Sequence, residues 1–268
     1  MKYKLMAVDI DGTLLNSESI ITEKTKKAIK FAVEKGLIFT ISTGRPIQGV
    51  RPIAQELDID LPFITYNGAM VIKGKSEEIL YECNMSYNDA KTVYDLGVEL
   101  DTTIMVWAKN KLYSNKINER TKKYSMLSRT TPVQITDVKS LLIQGPSKIL
   151  WYDEVDVIND YINIAKNHVG KDVVFHTSRP WFLEFVDKHS TKAIAMQKLG
   201  EYYGISSEEM IAVGDGFNDL SMIEYAGLGV AMANSEEEIK KCANCVTLSN
   251  DEDGVAHVIH KFVLENNE

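Results

Sequence analysis

The sequence predicts an α/β protein, a doubly wound parallel-sheet (Rossmann-like) core with an inserted α+β module. Three observations carry this prediction. Short apolar runs ending in polar, glycine-containing loops alternate with amphipathic helical stretches over residues 1–83. The same rhythm returns over residues 188–268. Between them, residues 84–187 have shorter apolar runs and a higher polar fraction. The core is therefore expected from 1–83 plus 188–268, and the module from 84–187.

Taken in order, Leu5-Met6-Ala7-Val8 reads as a buried strand stopped by Asp9-Ile10-Asp11-Gly12. Thr22 to Glu34 reads as a helix, with Thr22 as N-cap, Glu23 in the first turn and an apolar stripe of Ala28, Ile29, Ala32 and Val33. Leu37–Ile41 is a second strand, residues 47–57 a second helix, and Phe63–Tyr66 a third strand before the turn Asn67-Gly68. In the module, Val106–Ala108 and Leu112–Ser114 flank Lys109-Asn110-Lys111 as a hairpin. Lys148–Tyr152 and Val173–His176 are further strands, and Asp153–Asn167 is an amphipathic helix. The second core series runs helix Thr191–Tyr203, strand Met210–Val213, helix Phe217–Tyr225 and strand Gly229–Met232. A helix capped by Ser235, a strand Cys245–Leu248 and a helix Val255–Leu264 complete it.

The chain has 268 residues and a formal net charge of −8, which opposes general binding to nucleic acid or an anionic membrane. Three cysteines are too few for a disulfide framework. No signal-peptide core or membrane-length apolar stretch is seen, so a cytoplasmic protein is expected. Oligomeric state is not encoded in any visible pattern.

The chemistry concentrates at the predicted strand ends. Asp9 and Asp11 sit just past a buried strand, at the carboxyl edge of a parallel sheet, where open α/β folds place their sites. Two close carboxylates raise one pKa, and a hard cation such as Mg²⁺ would relieve the repulsion. An Asx-turn closing the strand explains the same pair equally well. Thr43-Gly44-Arg45-Pro46 alone is a strand-to-helix turn with proline at the first helical position. Asp215 and Asp219 alone are acids favoured in a first helical turn. Lys192 alone is a solvated helix residue. Cys242 and Cys245 lack a second pair and read as buried small hydrophobes. His257 and His260 read as solvated or satisfied, and Trp107, Tyr113, Trp151 and Trp181 mostly as module core. Glu184 stands near the return to the core, with reach toward a leaving group as one reading.

The joint pattern changes these weights. Asp9-Ile10-Asp11-Gly12-Thr13-Leu14-Leu15 resembles the first motif of the haloacid dehalogenase (HAD) superfamily. Ile41–Pro46 resembles the second, Lys192 the third, and Gly214-Asp215-Gly216-Phe217-Asn218-Asp219 the fourth, in the family's order. Gly229–Asn234 and Asn250–Ala256 resemble the Cof-type branch, and the insertion stands where that branch carries its type-2 cap. Within it the chain is most similar to the YidA-like sugar-phosphate phosphatases. It departs locally, with His189-Ser190 where relatives often carry Gly-Val.

The resemblance implies a Mg²⁺-dependent phosphatase of small phosphorylated metabolites. Asp9 would be the nucleophile, Asp11 the general acid and base, and Lys192 a positive charge to Asp9 and phosphate. Thr43 and Gly44 would bind the phosphoryl group, Asn218 would contact phosphate or Lys192, and Arg45 would contact substrate or form a structural ion pair. Asp9 and Asp215, the carbonyl of Asp11 and a water oriented by Asp219 would complete the metal site. Two alternatives use the same residues: a phosphomutase, which would retain the phosphoryl group, and a regulatory phosphate-binding module, which would lack a catalytic carboxylate. The presence of both Asp9 and Asp11 argues against the last.

Overall fold

The computed structural model describes residues 1–264. They divide into two compact units: residues 1–44, 51–81 and those from 191 on, and residues 45–50 with 82–190.

The first unit is built on a sheet whose strands run, in chain order, β1 Leu5–Val8, β2 Ile38–Ser42, β3 Pro62–Thr65, β4 Met70–Lys73 and β5 Ile79–Glu82. The strands β6 Thr103–Ala108, β7 Lys111–Ser114, β8 Val133–Gln134, β9 Lys148–Tyr152, β10 Val173–Arg179 and β11 Phe182–Asp187 belong to the second unit. The chain then returns for β12 Met210–Gly214, β13 Leu228–Ala231 and β14 Cys245–Val246. The first sheet has the order β14-β13-β12-β1-β2-β3-β4-β5. Pairing is parallel from β14 to β3, and β4 turns back antiparallel against β3.

Hydrophobic patterning explains the central position of β1. Leu5, Met6, Ala7 and Val8 are all fully buried, as a strand covered on both faces requires. On one face Leu5 and Ala7 pack with Ala195, Met196 and Leu199 of the helix Lys192–Tyr203 and with Met222. The helix Glu23–Glu34 buries Ala28, Ile29 and Ala32, contacts β2, and packs on the helix Gly254–Ile259. Its N-cap is Thr22, whose side chain accepts from the Thr25 amide at 3.1 Å. Thr191 caps the Lys192–Tyr203 helix in the same way, through Ile194 N at 3.2 Å.

The α/β class and the parallel core are as expected; the antiparallel β4 and the edge strand β5 are additions. The chain reverses at Tyr66–Gly68 and pairs Met70 with Thr65 at the start of β4. Two local expectations are corrected. Ser235 does not cap the next helix: that helix is Glu237–Cys242, its N-cap is Glu236, and Ser235 Oγ is buried without a hydrogen-bond partner. Cys242 is exposed and Cys245 half-buried, because the short helix ends at Cys242 and turns its last residue outward.

The second unit is a sheet of order β10-β11-β9-β6-β7-β8, antiparallel except for the β7–β8 pair. Helices Tyr87–Glu99 and Val155–His168 cover one face, burying Val93, Ile158, Ala165 and Trp151 with Phe185. Trp151 packs against Phe185 with tilted rings whose centroids are 4.5 Å apart. Lys109 and Asn110 both take left-handed backbone at the tip of the β6–β7 hairpin.

Candidate active site

Three loops leave the carboxyl ends of adjacent parallel strands and place the candidate residues. Asp9 follows β1, and its amide donates to Val213 O of β12 at 3.0 Å, so the pairing continues one residue beyond the strand. Thr43 follows β2 and donates its amide to Ile64 O of β3 at 2.9 Å. Asp215 follows β12. This edge is where an open parallel sheet presents a site.

Asp9 is only 6% exposed, and Lys192 and Asp219 are each 1% exposed. Lys192 Nζ donates to Asp9 Oδ1 at 2.5 Å and to Asp219 Oδ1 at 2.5 Å. The other Asp219 oxygen accepts from the amides of Asp215 at 3.0 Å and Gly216 at 2.9 Å. Thr13 Oγ1 donates to Asp215 Oδ1 at 2.7 Å. Burial holds Asp9 well above the usual carboxylate range, and Asp219 pushes the same way against the pull of Lys192. Burial also lifts Asp215 to about 6, opposed by the Thr13 hydrogen bond. Burial alone would lower the Lys192 ammonium; the charges of Asp219 and Asp9 outweigh it and raise it.

Oxygens of Asp9, Asp215 and Asp219 lie within 4.8 Å of one another. Three carboxylates there face one ammonium, leaving two negative charges without a partner if all ionise. An all-oxygen donor set and that surplus fit a hard divalent cation such as Mg²⁺. The Asp11 carboxylate is exposed and is not among the grouped oxygens, so only its carbonyl is left for the expected ligand role.

The turn after Asp9 is tightly held. Leu14 N and Leu15 N return to Asp9 O at 3.2 Å and Ile10 O at 2.9 Å. The tail segments clamp it from outside. Asn234 Nδ2 donates to Gly12 O at 2.8 Å, Asn250 Nδ2 to Leu15 O at 2.9 Å, and Ser17 N to Asp251 Oδ1 at 2.8 Å. Thr22 Oγ1 donates to Asp253. The sequence marked these tail residues as a motif without a task; the structure supplies one.

Thr43 is buried, Gly44 half-buried and Asn218 exposed. A residue not singled out in the sequence ties them. Asn67 donates its amide to Thr43 O at 3.0 Å and accepts from Asn218 Nδ2 at 3.2 Å. Its signal was present as Asn67-Gly68 but read only as a turn. Arg45, the next residue after Gly44, is half-buried, and its side chain lies beside Gly49. Glu184 is engaged elsewhere, 3.0 Å from Lys148 Nζ and 2.7 Å from Ser178 Oγ.

Residues 6–259 match the family of haloacid dehalogenase-like hydrolases. The chain belongs to that family. This HAD hydrolase is 35% identical to YxeH of Bacillus subtilis over 98% of its own length and 99% of that protein's. It is 30% identical to the 5-amino-6-(5-phospho-D-ribitylamino)uracil phosphatase YitU of Bacillus subtilis, over 97% and 98% of the two chains. A solved HAD subclass IIB sugar phosphatase superposes with a TM-score of 0.79 at 25% identity, over 97% and 98% of the two chains. The HAD hydrolase is accordingly a phosphomonoesterase with the α/β core and inserted α+β cap of its family.

Proposed function

We propose that this HAD phosphatase hydrolyses small sugar phosphates through a phosphorylated Asp9, with Mg²⁺ as cofactor. The observation that carries the reading is the buried Asp9–Lys192–Asp219 arrangement beside Asp215. Lys192 holds Asp9 Oδ1, so the second oxygen is the one available to attack phosphorus. The P–O bond to the sugar breaks as the Asp9–phosphorus bond forms. Asp11, exposed at the mouth of the turn, gives its proton to the departing sugar oxygen and then takes one from the water that cleaves the acyl phosphate. Thr43, Gly44 and Asn218 hold phosphoryl oxygens, and Lys192 adds positive charge. Asp9, Asp215 and the Asp11 carbonyl would hold Mg²⁺, with Asp219 orienting a bound water; the ion supplies neutralisation of charge between carboxylate and phosphoryl group.

The sugar-phosphate class rests on the relatives: one is named a sugar phosphatase and another acts on a phosphorylated ribityl compound. An inserted cap, residues 84–187 by the sequence boundaries, suits a substrate enclosed whole. No helix among the described residues is long and apolar enough to cross a membrane.

The test is phosphate release from a panel of sugar phosphates, nucleotides and a phosphopeptide, in Mg²⁺ and in EDTA. Sugar phosphates are expected to give the highest kcat/KM, and EDTA to abolish turnover. Asp9→Asn is expected to lower kcat by about 10³-fold or more with the fold kept. Asp11→Asn should retain phosphate binding and lose turnover by about 10²–10⁴-fold. A nucleotide or phosphopeptide preferred by about tenfold or more, or an active Asp9→Asn, would refute the reading.

A further inference from the structure

The loop Thr65–Ala69 touches three of the four candidate segments at once, and its backbone is unusual. Tyr66, Asn67 and Gly68 take φ of 53°, 56° and 103°, three consecutive left-handed residues of which two carry side chains. Such conformations persist only where surrounding contacts fix them. Here those contacts are visible. Gly68 lies so close to the Thr191 carbonyl, one residue before Lys192, that an added Cβ would overlap it. Asn67 N binds Thr43 O at 3.0 Å, and Asn67 Oδ1 receives Asn218 Nδ2 at 3.2 Å. A Cβ added at Gly44 would stand 2.9 Å from the same Asn67 Oδ1, so this side chain fills the space beside Gly44. Asparagine suits the position because it tolerates left-handed backbone and still offers an acceptor.

We propose that Asn67 is a positioning residue for the phosphoryl group: through Asn218, Thr43 and Gly44 it sets the donors that receive the phosphate oxygens. The assignment rests on the phosphatase reading above. Asn218 is exposed, and its amide has free rotation unless something aims it. The Asn67 acceptor takes one of its two N–H groups and thereby fixes the direction of the other. The backbone bond to Thr43 O fixes the height of the second-motif turn against β3.

Three proteins test this: Asn67→Gly, Asn218→Ala and the double variant. Glycine keeps the left-handed backbone and the amide to Thr43 while removing the acceptor. The readouts are the inhibition constant of inorganic phosphate and the KM and kcat for a sugar phosphate, with a thermal melt of each. Asn67→Gly is expected to weaken phosphate and raise KM about tenfold, the loss of one ordinary hydrogen bond, with kcat changed less than about threefold. The double variant is expected to lose less than the sum of the two single losses, because Asn67 acts in large part through Asn218. Wild-type phosphate inhibition in Asn67→Gly, or additive losses in the double variant, would overturn the proposal. So would a lowered melting midpoint with unchanged phosphate inhibition, which assigns Asn67 to the fold. If Asn218→Ala alone leaves phosphate inhibition unchanged, the phosphate role of Asn218 itself is lost, a failure distinct from that of Asn67.

Discussion

Gly12 shows how narrowly single residues are constrained at the site. Its φ of +82° lies in the left-handed region, and an added Cβ would overlap the Asp215 carboxylate. Both effects act on one substitution. Gly12→Ala carries about 1–2 kcal/mol of backbone strain and must also push Asp215 aside, away from Thr13. The carbonyl that Asn234 grips belongs to the same residue, so the displacement spreads into the turn carrying Asp11. The expected outcome is a lower melting midpoint together with Mg²⁺ affinity weakened by about tenfold or more, read by calorimetric titration with MgCl₂. Unchanged Mg²⁺ affinity would show that Asp215 does not depend on the space Gly12 leaves.

At the scale of elements, the second unit holds a buried charge pair that its sheet creates. Lys148 on β9 and Glu184 on β11 lie 3.0 Å apart, their side chains 5% and 7% exposed. Burial would raise Glu184, yet Lys148 and His176 hold it below the usual range; burial would lower Lys148, yet Glu184 raises it. Lys148→Met leaves a buried carboxylate with only Ser178 and a His176 ring whose pKa burial lowers. That variant should lose about 3–5 kcal/mol in urea unfolding, and the double variant with Glu184→Leu should recover most of it. A single variant within about 1 kcal/mol of wild type would show that the pair is not a closed unit. The pair also marks where sequence reading stops. Contiguous local signals place Asp9, Asp11, Thr43, Lys192, Asp215 and Asp219 at strand ends and helix starts, while the roles proposed for them come from the resemblance of four motifs taken together. Reach toward a leaving group is only one reading of Glu184 in the sequence, and its partner Lys148 stands 36 residues away, across a strand register that no local pattern reveals. Asn67 was read as a turn for the same reason: its task depends on Thr43 and Asn218, brought near only by the sheet. Helix Glu119–Ser128 went unrecognised because its buried residues are Thr121, Tyr124 and Ser128, too polar to form an apolar stripe.

For the molecule as a whole, the acidic cluster ties protonation to stability, and a bound cation would enter the same balance. Asp215 titrates near 6 in the folded protein instead of its ordinary 3.8, and Asp9 is shifted the same way. Below the ordinary value both states carry the proton, and these groups oppose folding least. As pH rises toward 6 the unfolded chain ionises first, so the folded state binds more protons and stability falls. Above 6 Asp215 is charged in both states, and the folded protein bears its repulsion with the neighbouring carboxylates. Glu184, held low, works in the opposite sense and loses its contribution as pH falls. A comparison at each pH with and without metal cancels that background. Mg²⁺ needs ionised ligands, so protons compete with it, and its stabilisation should be small at pH 5 and grow to a plateau above about 7. At about a hundredfold excess over Kd the plateau corresponds to about 2.7 kcal/mol, or roughly 5–10 °C in melting midpoint for a chain of this size. Melts in MgCl₂ and in EDTA from pH 5 to 8 measure the difference directly. In Asp215→Asn the difference should shrink at every pH, because a ligand is lost and with it the group that titrates near 6. A shift in melting midpoint that is constant across this range, or largest at pH 5, would mean that the Asp9–Asp215–Asp219 cluster is not where the cation binds.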